Sequence, residues 1–171
     1  MVVRRGHTTR FRVRTKWSGI SREVTVRVYD NVEDLRDDAF RFAVRGDGEA
    51  KGRGPEAADS DMVGVFQGLF GISYVSGKEE KQSNVGIIRL WKGRLGTGVI
   101  SHEVTHAALA IYEADVMDKN PHNCPWESME NEEIMCHLVG SLMAKVTNGL
   151  YNHGCFGTSP RYGRHTKKGK K

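Results

Sequence analysis

Nowhere in the 171 residues is there a run of eighteen apolar side chains, the length a helix needs to cross a bilayer, so no membrane span is expected. The stretch from Met1 to Arg14 alternates basic and apolar residues and lacks the continuous apolar core of a secretory signal. Cysteine is scarce: Cys124, Cys136 and Cys155 make an odd number. Pairing would strand at least one of them, which suits a reducing, cytoplasmic compartment better than a secreted one. The glycines at 46, 48, 52 and 54 lack the lysine and preceding strand of a phosphate-cradling loop. Arg45 to Asp61 therefore reads as a flexible loop, of the kind that serves enzymes as a lid.

Charge is unevenly placed. Residues 1–29 carry +7 and residues 161–171 carry +6, so the stretch 30–160 holds −8 of the total of +5. An acidic body with basic ends is not the footprint of a fold built as a nucleic-acid platform. Weak polyanion contact through those ends is expected, without base stacking, because few aromatics interleave with the terminal lysines. The length suits one domain with a real core: residues 1–158, followed by a basic, disordered tail over 159–171.

Thr8 to Arg14 and Glu23 to Tyr29 alternate with period two and read as a strand pair joined through Trp17–Ser21. The arginines of the first are the solvated face of a sheet or a phosphate-binding face. Asp30 or Asn31 caps a helix whose apolar stripe is Val32, Leu35, Ala39, Phe42 and Ala43. Met62 to Phe66, Leu69 to Val75 and Val85 to Trp91 read as strands, and Gly77 to Ser83 as a polar turn. Pro121 and Pro125 keep Asp118 to Trp126 irregular. A last helix runs from Glu127 or Asn131 to Thr147 and stops at Asn148-Gly149.

The stretch that carries chemistry is His102-Glu103-Val104-Thr105-His106. Positions four apart share one face of a helix, so both imidazoles can address one cation. Glu103, beside the first ligand, can take a proton from water without occupying a coordination position. The flanks Val99-Ile100 and Ala107 to Ile111 are apolar, which predicts a helix buried nearly all round. Two imidazoles and a carboxylate buried without partners would cost several kcal/mol, and a zinc ion removes that cost. Two capped or surface histidines are the plainer alternative.

The third ligand is expected on the last helix, where Glu132 and Glu133 are neighbours. Glu133 shares a mostly small stripe with Cys136, His137, Gly140 and Ala144, along which a second helix could approach closely. That face selects Glu133. A different metal site, closed and structural, would use His122-x-Cys124, Cys136-His137 and His153-x-Cys155, whose spacing is not that of a standard zinc finger. The chain would then be a zinc-stabilised binding module, or a nucleic-acid-interacting protein with an inactive metal site.

His102-Glu103-x-x-His106, followed by Asn131-Glu132-Glu133-x-x-Cys136-His137, resembles the gluzincin metallopeptidases, above all their compact bacterial and phage members. The resemblance spans roughly residues 85–147. It implies an α+β, zincin-like fold: a small twisted, mostly antiparallel sheet packed on the metal helix and on a second, glutamate-bearing helix. It implies Zn2+ on His102, His106 and Glu133, with Glu103 as general base and a peptide or protein as substrate. Cys136 matches the small position three residues after the ligand, and His137 stands where the family has an acidic residue. The Asn-Glu order would instead favour Glu132. The resemblance also implies that an edge strand lines the substrate cleft, with Val85–Trp91 the candidate. Tyr151 and His153 are candidate donors to the oxyanion.

Overall fold

Alternation at the start of the chain produces a hairpin. β1 (Thr9–Thr15) pairs antiparallel with β2 (Arg22–Tyr29), Thr9 opposite Val28 and Arg14 opposite Glu23. The loop between them turns at Gly19, whose φ of 82° favours glycine. Asn31 then opens α1 (Val32–Gly46), its side-chain oxygen accepting from the Glu33 N–H at 2.9 Å. The computed structural model describes residues 8–46, 62–69, 72–75, 78–81, 83–117 and 128–156. The loop expected over 45–61, the irregular stretch 118–126 and the basic tail lie almost wholly outside them.

Four strands form the main sheet, in the order β1-β2-β6-β3, with β3 at Gly64–Gly68 and β6 at Asn84–Trp91. β6 lies parallel to β2 and antiparallel to β3, so the sheet is mixed. A parallel neighbour requires a long crossover, and the chain through α1 supplies it. β6 is thus an interior strand and β3 is the edge. Interior strands are buried on both faces, which is why Val85 to Leu90 is a nearly unbroken buried run. The polar turn expected over 77–83 contains a strand instead: β4 (Ile72–Val75) and β5 (Lys78–Lys81) form a separate antiparallel pair.

One face of the main sheet carries Val13, Val24, Val26, Val28, Ile88 and Leu90 and packs on α2 (Thr97–Tyr112) and α3 (Met129–Asn152). After α2 a π-turn over Glu113–Met117 turns Asp115 inward, onto Arg22 (Nε to Oδ1, 2.8 Å) and the Ser18 hydroxyl. This buried pair fastens the β1–β2 loop to the end of α2. Ser128 caps α3 by accepting from the Asn131 N–H. The expected stop at Gly149 is not used. A Cβ there would come within 2.2 Å of the Phe11 ring, so Gly149 is the point where α3 approaches β1. The helix ends at Gly154, φ 64°, with Cys155 N–H on the Leu150 carbonyl and Gly154 N–H on that of Tyr151, a Schellman motif.

The opposite face of the sheet is polar. Arg89 is fully buried there, donating to Asp38 of α1 at 2.8 Å and to Gln67, with Phe42 against its guanidinium. Asp38 also accepts from Arg27 (2.7 Å) and Tyr29 (2.5 Å). Burial alone would push the Asp38 carboxyl up, but the Tyr29, Arg89 and Arg27 hydrogen bonds outweigh it and hold the group well below the usual carboxylate range. Burial, followed by the Asp38 contact, pushes the Tyr29 phenol well up. A depressed carboxyl pKa stabilises the fold above the unfolded value of about 4, and that contribution disappears as pH falls through the folded value. Asp38→Asn is expected to cost about 2–3 kcal/mol at pH 7, less than a fully buried pair because Asp38 keeps some contact with water. Melting temperatures of wild type and Asp38→Asn should converge as pH drops from 5 to 2.

Candidate metal centre

The pentapeptide lies in the middle of α2. Gly96 precedes it in extended conformation without a side-chain cap, and the Ile100 N–H closes the first turn on the Gly96 carbonyl at 3.1 Å. The helical turn brings His102 and His106 together: their Nε2 atoms are 3.2 Å apart and the rings meet edge to face, centroids at 4.7 Å. Tetrahedral zinc with Zn–N bonds of 2.0–2.1 Å separates two ligating nitrogens by roughly 3.3 Å. The pair therefore fits a zinc ion, provided each ring carries its proton on Nδ1 and offers the Nε2 lone pair.

Burial divides the motif differently from the expectation. His102, Thr105 and His106 face solvent, while Glu103 is 5% exposed. The apolar residues around the motif bury only the flank of α2 that meets the sheet and α3, so the imidazoles carry no burial cost. The group that does is Glu103, which lies against the edge strand. Trp91 N–H to Val63 carbonyl and Leu69 N–H to Val85 carbonyl bind β3 to β6 through its odd-numbered residues. By the alternation of antiparallel ladders, Gly64, Phe66 and Gly68 turn their N–H and C=O outward. The Phe66 N–H is accepted by the Glu103 carboxylate. Burial pushes the Glu103 carboxyl up against the opposing pull of His102, the Phe66 N–H and His106. A raised pKa makes the ionised carboxylate a stronger acceptor for the proton of water.

Gly64 makes this contact possible. A Cβ on it would lie 2.7 Å from Val99 Cγ1 and 3.2 Å from both Cγ and Oε1 of Glu103. Met62, Val63, Gly64, Gly98, Val99, His102 and Glu103 line an open cleft of about 440 Å³. From the sequence, only the last two of these have a role at the site. A glycine opening a strand, a mark of close backbone approach, was the available signal for Gly64.

The structure does not bring Glu133 to the histidines, and among the described residues no three His, Cys, Asp or Glu side chains come together as a metal-holding set. Glu133 is exposed and pairs with His137 at 3.1 Å. The stripe Glu133, Cys136, Gly140 and Ala144 faces solvent, while Met135, Leu138, Leu142, Val146 and Leu150 are buried. Burying bulky aliphatic groups outweighs any gain from bringing small ones close, so the small stripe is not the face that meets α2. The level along α3 matters as well. Phe66, beside Glu103, is in register across the sheet with Ile88, Val26 and Phe11, and Phe11 meets Gly149. Glu132 and Glu133 lie at least sixteen residues before Gly149, about 24 Å of helix rise.

The other candidates fall elsewhere. His153 stacks on Phe11 at 5.0 Å and Tyr151 on Phe156 at 4.5 Å. His153 thus belongs to β1, three strand positions from the edge at Glu103, and has no place at an oxyanion there. Cys136 is exposed on α3, whereas Cys155 is buried in the turn after its end, so the two cannot share a metal. His122 and Cys124 lie outside the described residues. Gly64→Ala is expected to destabilise the fold by about 1–3 kcal/mol through overpacking, read as a lower urea midpoint, while Gly98→Ala, where a Cβ meets nothing within 4 Å, should cost less than half as much. No protein-family model, no curated protein and no solved structure matches this chain.

Proposed function

We propose that the chain is a zinc-dependent metallopeptidase, with His102 and His106 as ligands and Glu103 as general base. The observation that carries this reading is the 3.2 Å Nε2 pair set one residue from a buried carboxylate at the lip of a cleft. A bound zinc ion supplies Lewis-acid polarisation of a carbonyl and acidification of water. Glu103 takes the proton of the attacking water and passes it to the leaving amine. Phe66, through its N–H, holds that carboxylate at the edge of the sheet.

The edge also supports a peptide as substrate. Gly64 and Gly68 direct backbone groups outward along the edge, Gly64 in the cleft that His102 also lines, and an extended peptide can add to them as a further strand. The contrast with β1 favours this end. β1 is the other edge of the sheet, carries Arg10, Arg12 and Arg14, and has its Arg14 carbonyl taken by Lys145 Nζ at 2.7 Å. Charged side chains of this kind guard an edge against strand addition. β3 carries none among Gly64–Gly68.

Glu133 is the sequence's candidate for a third ligand and is held here by His137. Glu133→Ala is expected to keep the zinc, because this glutamate is exposed and paired with His137 away from the histidine pair; loss of zinc in that variant would restore it as a ligand. Purified protein should contain about one zinc per chain, and His102→Ala/His106→Ala should contain none. Glu103→Gln should keep the metal and the fold, yet lower turnover on a peptide library by about 10²- to 10⁴-fold. Equal cleavage by wild type and Glu103→Gln would exclude this glutamate as the base, and zinc retained in the double histidine variant would exclude the site.

A further inference from the structure

The arginines of β1 are not absorbed by the peptidase reading. Alternation puts Arg10, Arg12 and Arg14 on the polar face of the sheet, in register with Arg27, Thr25 and Glu23 of β2. α1 covers that face over β2 and β6, where Asp38 pairs with both Arg27 and Arg89. The row on β1 stays in water: Arg10 is exposed, and the side chains of Arg12 and Arg14 are 52% and 71% exposed. Arg12 and Arg14 share one carboxylate, Glu23, at 3.2 and 2.8 Å. Arg10 has no ion pair among the described residues. The exposed Lys16 continues the line, so four cations face a single, nearly buried anion.

Two features point to an occupant. Alternate residues on a strand are about 6.8 Å apart, close to the distance between consecutive phosphates of an extended nucleic-acid strand. At the end of the row stands Trp17, the most exposed tryptophan or phenylalanine side chain among the described residues at 37%. Its loop is not loose, because the neighbouring Ser18 hydroxyl is bound to the buried Asp115. An exposed aromatic in the turn that follows a line of cations supplies the two elements that bind single strands, cations for the phosphates and a ring for a base. An acidic peptide would match the charge but would leave Trp17 without a partner.

We propose that β1 and its loop form a binding surface for single-stranded nucleic acid, with Arg10, Arg12, Arg14 and Lys16 on the phosphates and Trp17 stacking a base. The surface lies at the edge of the sheet away from the histidine pair, three strand spacings or about 14 Å across. It stands whether or not the metal site is catalytic.

The test is fluorescence anisotropy of the full chain with a labelled twenty-residue oligothymidylate, a duplex of equal length, heparin and polyglutamate, between 50 and 200 mM salt. Arg10→Gln, which breaks no ion pair among the described residues, should weaken oligothymidylate binding and lower the salt slope by about 0.7. Trp17→Ala should cost about 5-fold or more for the single strand, with Trp17→Phe restoring most of it and the duplex unaffected. Lys167→Gln/Lys168→Gln/Lys170→Gln provides the control for the basic tail. The proposal is overturned if Arg10→Gln and Trp17→Ala both bind like wild type while the tail variant loses binding. It is equally overturned if Trp17→Ala changes nothing and heparin or polyglutamate binds as well as the oligonucleotide, which would leave only charge.

Discussion

A carboxylate lies in the seam between α2 and β3, and the arrangement around it depends on one backbone N–H. Glu103 is nearly excluded from water, and a buried carboxylate without a donor costs several kcal/mol. The Phe66 N–H meets it because Phe66 falls on the outward parity of an edge strand. Shifting β3 by one residue on β6 would turn that N–H inward and strand the charge. Gly64 allows the two elements to come close enough. Register, edge position and glycine thus act together at this point, and the exposed histidines follow from it, since orienting Glu103 toward β3 rotates the next faces of α2 outward.

The two faces of the sheet solve different problems. The face toward α2 and α3 is a conventional apolar core, with valines of β2 and leucines of α3 in one buried cluster. The face toward α1 holds a fully buried arginine: Asp38 and Gln67 accept from its Nε and Nη1 and Phe42 lies against it, while its Nη2 has no hydrogen-bond partner among the described residues. Polar networks of this kind are costly when incomplete and specific when satisfied. This one ties α1 to β2, β3 and β6 together, and so fixes the crossover that puts β6 between β2 and the edge.

Much of the local structure was legible. The alternation of Arg10 to Arg14 and Val24 to Val28 marks two strands, the asparagine at 31 marks a helix start, and the histidine spacing marks a shared helix face. Other expectations failed for physical reasons. Val85–Trp91 was expected at the edge, but the strand is buried on both faces and lies in the interior. Gly149 looked like a helix stop, whereas its lack of a side chain serves contact with Phe11. The small stripe of α3 looked like a packing face, yet the larger aliphatic face was buried instead.

Periodicity determines which side chains share a face, because the helix and strand repeats are local and steric. On those grounds the sequence by itself determined that His102 and His106 converge, that Glu103 points to a different side, and that arginines line one side of β1. It could not determine what each face would meet. Which strand lies beside Glu103, which residue of α3 stands level with it, and which histidines stay in water depend on pairings between residues far apart in the chain. Those are decided by the competition among many possible burials of apolar area and hydrogen-bonding groups. Only the tertiary structure resolves that competition, and it separates Glu133 from the histidines while setting Phe66 beside their neighbour.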